Sequence, residues 1–119
     1  MKKVLAIDDT RSMLASLVDC LEDAGHSVTS AGDGLEGLAR LREDPPDIVI
    51  TDLNMPRMNG LKFIEAARQT VEGRTIPILL LTTETAQELK VEARRLRATG
   101  WLSKPFDADQ IIGLVDQLA

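Results

Sequence analysis

Tyrosine is absent from this sequence, and rings are scarce altogether: one Trp and two Phe in 119 residues. So few rings offer little platform for stacking nucleobases. The formal charge of −5, from 19 acidic against 14 basic side chains, also repels a phosphate backbone. Direct nucleic-acid binding is not expected. A single cysteine, Cys20, leaves no internal disulfide and no thiolate metal framework. It falls inside an amphipathic helical pattern and reads as a small buried or half-buried thiol. The one histidine, His26, follows Gly25 in a turn and is expected to face solvent. Long apolar runs are missing as well. After Met1-Lys2-Lys3, the run Val4 to Ile7 stops at two aspartates. It is too short for a secretory leader and far short of the ~20 apolar residues of a membrane span. The chain reads as cytoplasmic and reduced, without membrane contact.

What remains is an ordinary globular composition, 44% hydrophobic and 28% charged, with no linker, repeat or low-complexity stretch. Residues 1–119 are read as one domain, large enough to bury about two-thirds of its unfolded surface. Short apolar runs alternate with helical patterns. Val4–Ile7, Ile48–Thr51 and Ile78–Leu81 are continuous runs of the kind found in strands buried on both faces. Ser27–Ala31 is more polar and alternating, which suits an edge strand, and Trp101–Ser103 makes a fifth short strand. Met13, Leu14, Leu17, Val18 and Leu21 repeat at helical spacing, with Gly25 as the stop. Asp33 can cap a second helix from about residue 34 to 43. Further helices are expected from the loop 54–60 through about residue 69, over about 86–98, and over about 108–118. Five strands alternating with five helices indicate an α/β fold, a doubly wound parallel sheet with helices on both faces.

The chemistry lies at the strand ends. Strand one ends in Asp8-Asp9, strand three in Asp52, strand four in Thr82 and strand five in Lys104; strand two ends in no such group. In open α/β sheets, ligand sites gather beyond the carboxyl ends of the strands. Taken singly, Asp8, Asp9 and Thr82 have an ordinary reading as helix caps and Lys104 as a surface lysine. Taken together at one sheet edge they form a cluster. Three carboxylates brought close repel one another and either protonate or recruit a cation. Ligation by oxygen alone suits Mg²⁺, with Mn²⁺ as a substitute. A lysine and a hydroxyl facing such an ion complete a site for a phosphoryl group, and Asp52, central in strand order, is the candidate acyl-phosphate nucleophile.

Five motifs carry a resemblance: Val4-Leu5-Ala6-Ile7-Asp8-Asp9, Ala31-Gly32-Asp33-Gly34, Asp52-Leu53-Asn54-Met55-Pro56 with Gly60, Leu81-Thr82-Thr83-Glu84, and Lys104-Pro105-Phe106. Along its whole length the sequence resembles the receiver domain of bacterial two-component response regulators. Asp52–Pro56, Leu81–Glu84 and Ala98–Trp101 are most similar to the single-domain chemotaxis (CheY-like) type. The resemblance implies the flavodoxin/CheY-like strand order 2-1-3-4-5. It implies that Asp52 accepts a phosphoryl group from a CheA-like sensor histidine kinase. Asp9, Asp52 and the Asn54 backbone carbonyl would ligate Mg²⁺ directly, and Asp8 through a water. Lys104 would pair with the phosphoryl group, Thr82 would turn its hydroxyl onto it, and Trp101 would occupy the position of an aromatic switch residue. Asn54 and Glu84 stand where the family tunes dephosphorylation, and Lys104-Pro105 is expected to be cis.

No output domain follows residue 119 in this sequence, so the message is expected to leave through a surface. Lys90, Arg94 and Arg97 are spaced i, i+4, i+7, opposite Leu89, Ala93 and Leu96. Such residues can simply complement a helix dipole. With Trp101 they are also the candidate partner surface, on the helix 4, strand 5, helix 5 face that the resemblance implies. Arg11, Met13, Leu14 and Leu17 are the candidate kinase-docking face, although Met13 and the two leucines read first as core. Three functions follow: a monomeric phosphorylation switch binding a partner such as the flagellar motor switch, helped by a phosphatase; a phosphate sink draining the kinase; or a Mg²⁺-dependent small-molecule phosphohydrolase. A turnover enzyme needs a general acid/base and a substrate cap, and neither is evident here, so the chain is not expected to be one.

Overall fold

In a computed structural model, residues 1–119 are described throughout. The strands are β1 (Lys3–Ile7), β2 (Ser27–Ala31), β3 (Ile48–Asp52), β4 (Ile78–Thr82) and β5 (Gly100–Ser103). The helices are α1 (Arg11–Asp23), α2 (Gly34–Glu43), α3 (Gly60–Arg68), α4 (Gln87–Arg95) and α5 (Ala108–Leu118). All strand pairs are parallel, and the order is β2-β1-β3-β4-β5, as the resemblance implies. The three continuous apolar runs became the central strands, buried on both faces, and the polar run Ser27–Ala31 became an edge.

Alternation along the strands builds two apolar layers. Leu5, Ile7, Val49 and Leu80 point to one side, where α2, α3 and α4 cover them with Leu41, Phe63, Ile64, Ala67 and Ala93. Val4, Ala6, Ile50, Leu79 and Leu81 point to the other, under Leu17 and Leu21 of α1 and Ile111 and Val115 of α5. β3 and β4 each run one residue past the apolar stretch, so Asp52 and Thr82 belong to the ladder. Asp52 pairs in register with Leu81, and Thr82 with Ser103. Asp52 and Thr82 are thus held by the sheet itself, while Asp8, Asp9 and Lys104 follow directly on β1 and β5.

Two expectations are corrected. First, α4 ends at Arg95, with Leu96 as its C-cap, and does not reach Ala98. Arg97 has φ +71° and leaves the helix, so the basic stripe breaks after Arg94. Second, His26 does not face solvent: it is 8% exposed. Its Nδ1 accepts the Lys2 N–H at 3.1 Å, and its Nε2 lies 3.2 Å from Asp116 Oδ1. The turn after α1 folds the ring back under α5. On α1 the core reading holds for Leu17, which is buried in the α1/α5 layer. Of the candidate docking face only Arg11 is exposed, with Met13 and Leu14 half-buried.

Candidate functional site

Asp8, Asp9, Asp52 and Lys104 meet beyond the carboxyl ends of β1, β3 and β5. Ligand oxygens of the three aspartates lie within 4.8 Å of one another; Asp8 and Asp52 are buried and Asp9 is exposed. The Lys104 ammonium sits 3.1 Å from Asp8 Oδ2 and 3.3 Å from Asp52 Oδ1. Backbone donors fix the acids from behind: Thr10 N–H donates to Asp8 Oδ1 at 2.9 Å, and Leu53 N–H to Asp52 Oδ1 at 2.8 Å. These bonds leave Asp8 Oδ2 to face Lys104 and Asp52 Oδ2 without a protein donor. The Lys104 N–H donates to the Thr82 carbonyl at 3.0 Å, which places the lysine beside the end of β4. The Lys104-Pro105 bond is cis.

Charge decides what this cluster can hold. Burial pushes the Asp52 carboxyl above its ordinary value; Lys104 opposes the shift, the Asp8 charge adds to it, and the net direction is up. Burial alone would lower the Lys104 ammonium, but its hydrogen bond to Asp8 and the charges of Asp52 and Asp8 outweigh that and raise it. One lysine against three carboxylates leaves a site in need of further positive charge. The donors are all hard oxygens, with few protein ligands, and this fits Mg²⁺, which keeps several waters and takes phosphate oxygens as partners.

Thr82 is buried, and its Oγ1 accepts the Glu84 N–H at 3.1 Å, so the hydroxyl hydrogen stays available for donation. Glu84 is half-buried and Asn54 exposed, both on loops that leave the site. Gly60 lets the loop after β3 turn back tightly. Its N–H donates to Leu53 O at 2.8 Å, and a Cβ there would meet Asp52 O at 2.3 Å. Farther off, Trp101 is half-buried against the α2/α3/α4 layer, with Lys90 Nζ 5.9 Å from its ring centroid. Its Nε1 is buried without a partner. Lys90, Arg94 and Trp101 line a groove of about 180 Å³ between α4 and β5; Arg97, exposed beyond the helix, does not line it.

Three residues went unnoticed in the sequence. Arg68 is 8% exposed; its Nη1 donates to Gly73 O at 2.9 Å and Ile76 O at 2.6 Å, and its Nη2 to Arg97 O at 2.7 Å. The signal for it was its place four residues after Ile64, on the buried face of α3. Asn59 caps α3 by accepting the Lys62 N–H at 2.9 Å. Arg57 pairs with Asp33, which also caps α2 as expected by accepting the Glu36 N–H at 2.9 Å.

Comparison with known proteins agrees with this geometry. Residues 4–116 match the family model described as the response regulator receiver domain. The chain is 31% identical over 116 residues to protein PilH of Pseudomonas aeruginosa, covering 98% of this chain and 96% of that one. It is 33% identical over 117 residues to the chemotaxis protein CheY-3 of Vibrio cholerae, with 98% and 90% covered. The solved structure of the Vibrio cholerae chemotaxis protein CheY4 superposes with a TM-score of 0.95 at 41% identity, over 100% of this chain and 99% of that one. The chain therefore belongs to the response regulator receiver domains, the CheY-like switches of phosphorylation-dependent signalling.

Proposed function

We propose that Asp52 is the phosphoacceptor of a Mg²⁺-dependent switch that takes its phosphoryl group from a phosphohistidine of a sensor kinase in the cytoplasm. The observation that carries this reading is the Lys104 ammonium held between two buried carboxylates, 3.1 Å from Asp8 and 3.3 Å from Asp52. Asp52 Oδ1 is tied to Leu53 and Lys104, so Oδ2 is the attacking oxygen. The new bond joins this oxygen to phosphorus in line, the bond from phosphorus to the imidazole nitrogen breaks, and the departing imidazole takes up a proton. Asp9, Asp52 and the Asn54 carbonyl would hold Mg²⁺ directly and Asp8 through a water, and the ion would supply positive charge to offset the negative charge of the phosphoryl oxygens. Lys104 exchanges its carboxylate contacts for one of those oxygens. Thr82 donates its free hydroxyl hydrogen to another and draws the loop after β4 inward. Asn54 and Glu84 set how readily water reaches the acyl phosphate. The chain catalyses only its own phosphotransfer and dephosphorylation.

The output is the α4–β5–α5 face, where the groove lined by Lys90, Arg94 and Trp101 favours a binding switch over a sink without output. Its partner in this reading is the flagellar motor switch. To test the chemistry, the protein is incubated with Mg²⁺ and a small acyl-phosphate donor. Covalent, base-labile phosphate is expected on wild type and none on Asp52→Asn, with a change in Trp101 fluorescence in wild type only. Phosphate incorporation by Asp52→Asn at the wild-type rate would refute the assignment. Motor-switch protein captured only by the phosphorylated chain supports the switch; a sink shows no phosphorylation-dependent capture.

A further inference from the structure

The loop that leaves Asp52 holds an unusual backbone. Arg57 has φ +63°, in the left-handed region that residues with a side chain rarely adopt. The turn centred on it is closed by the Met58 N–H donating to Pro56 O at 2.6 Å. Such a conformation persists where its surroundings over-determine it, and it is common near functional sites. Here the surroundings are specific. Arg57 Nε and Nη2 both reach Asp33 Oδ2, at 2.7 and 2.6 Å. The Gly34 N–H donates to Met58 O at 3.2 Å, and a Cβ at Gly34 would meet that oxygen at 2.7 Å.

Topology gives this contact its meaning. Asp33 follows β2 and Arg57 follows β3, and these strands flank β1, from which Asp8 and Asp9 emerge. The segments on either side of the acid pair are thus tied to each other. Strand two, which delivers no group to the site, supplies the anchor. We propose that Arg57 and Asp33 are a positioning pair, holding the β3–α3 loop so that Asp52 and the Asn54 carbonyl keep the geometry Mg²⁺ and a phosphodonor require. This rests on the function proposed above. A purely structural role fits poorly: the Asp33 side chain is 12% exposed but keeps its α2 cap without Arg57, and the Arg57 end of the pair is 61% exposed, so solvent screens it and limits what it adds to global stability.

The test compares wild type with Arg57→Ala, Arg57→Gly, Arg57→Lys, Asp33→Asn and the double variant Arg57→Ala/Asp33→Asn. Mg²⁺ affinity is read by calorimetry, phosphate incorporation with a small acyl-phosphate donor, and Tm by thermal unfolding. Asparagine at 33 keeps the oxygen that caps α2, and glycine at 57 keeps the positive φ without the ion pair. Each alanine, glycine or asparagine variant is expected to bind Mg²⁺ about three- to tenfold more weakly, at or below the low end for groups that orient metal ligands. Phosphate incorporation should slow in proportion, Tm should stay within about 2 °C, and the double variant should be no worse than the worse single. Arg57→Lys should recover part of the loss. Variants that match wild type, losses that add independently in the double variant, full recovery by Arg57→Gly, or losses that track a fall in Tm would each overturn the positioning role. Wild type that neither binds Mg²⁺ nor takes phosphate would overturn the proposed function and this inference with it.

Discussion

Replacing Asp52 by asparagine separates what the site costs in stability from what it does. Asparagine keeps the shape and can still accept the Leu53 N–H, now 2.8 Å from Oδ1. What it removes is one buried charge. The aspartate oxygens lie within 4.8 Å of one another, and at that distance two full charges repel by about 3.5 kcal/mol at an effective dielectric of ~20. Lys104, at 3.3 Å, returns about 5 kcal/mol on the same scale. The Coulomb balance thus favours the ion by only about 1.5 kcal/mol, before Asp9 is counted. Taking a carboxylate out of water costs several kcal/mol, so burial decides the sign, in line with the upward shift of the Asp52 carboxyl. Without divalent ions at neutral pH, Asp52→Asn should be about 1–2 kcal/mol more stable than wild type, or about 4–8 °C in Tm for a domain this size.

The pH dependence follows from the same shift. A carboxyl that titrates higher in the folded chain than in the unfolded one makes the folded chain bind more protons between the two values. Wild-type stability therefore falls as pH rises through that window, which begins near the unfolded value of about 3.9. The advantage of Asp52→Asn should be complete above the window and vanish below it. Mg²⁺ should reverse the order, since a cation bound by the folded state stabilises it by mass action. Urea unfolding in chelator at several pH values, followed by Trp101 fluorescence, measures all three effects. If Asp52→Asn is no more stable than wild type at neutral pH, or its advantage persists in acid, the burial argument is wrong.

Gly60→Ala would push a Cβ to 2.3 Å from Asp52 O and 2.9 Å from Leu80 Cδ2; a loss of about 1–3 kcal/mol should appear as a lower urea midpoint. Arg68→Met strips the donors from Gly73, Ile76 and Arg97 carbonyls, and should cost about 3 kcal/mol with faster amide exchange at residues 96–98. An unchanged exchange rate there would argue against Arg68 holding the end of α4. Burial first, then Asp23 and Asp109, push the Cys20 thiol up, so iodoacetamide should alkylate it more slowly than free cysteine near neutral pH.

Asp8, Asp9, Asp52, Thr82 and Lys104 were legible because they stand at strand ends, the first two sharing β1, and strand ends are marked locally, by an apolar run giving way to a polar group. Asp52 and Thr82 needed no knowledge of their neighbours. The residues that escaped have partners far along the chain. His26 is buried by Lys2 and Asp116, from the two ends of the sequence. The helical pattern of α4 continues past Arg95, yet the helix stops there and Arg97 turns left-handed, its carbonyl held by Arg68 at 2.7 Å. No glycine or proline marks that stop; Arg97 takes the left-handed cap position, the Ala98 N–H closes back on Ala93 O at 2.9 Å, and the bond from Arg68 is tertiary.

Arg57 and Asp33 make the division sharper. Each has an adequate local reading, one as a loop arginine and the other as a helix cap. Their pairing depends on β2 and β3 lying on either side of β1, an order that hydrophobic periodicity does not contain and that only the resemblance implied. The same order brings Asp8 within reach of Lys104, 96 positions away. Local patterning can therefore name the groups that do chemistry, but the groups that hold them in place become visible only once the strands are ordered. For this chain, substitutions at Arg57 and Asp33 are the more searching test of the site. They probe its geometry while leaving every proposed ligand and reacting group intact.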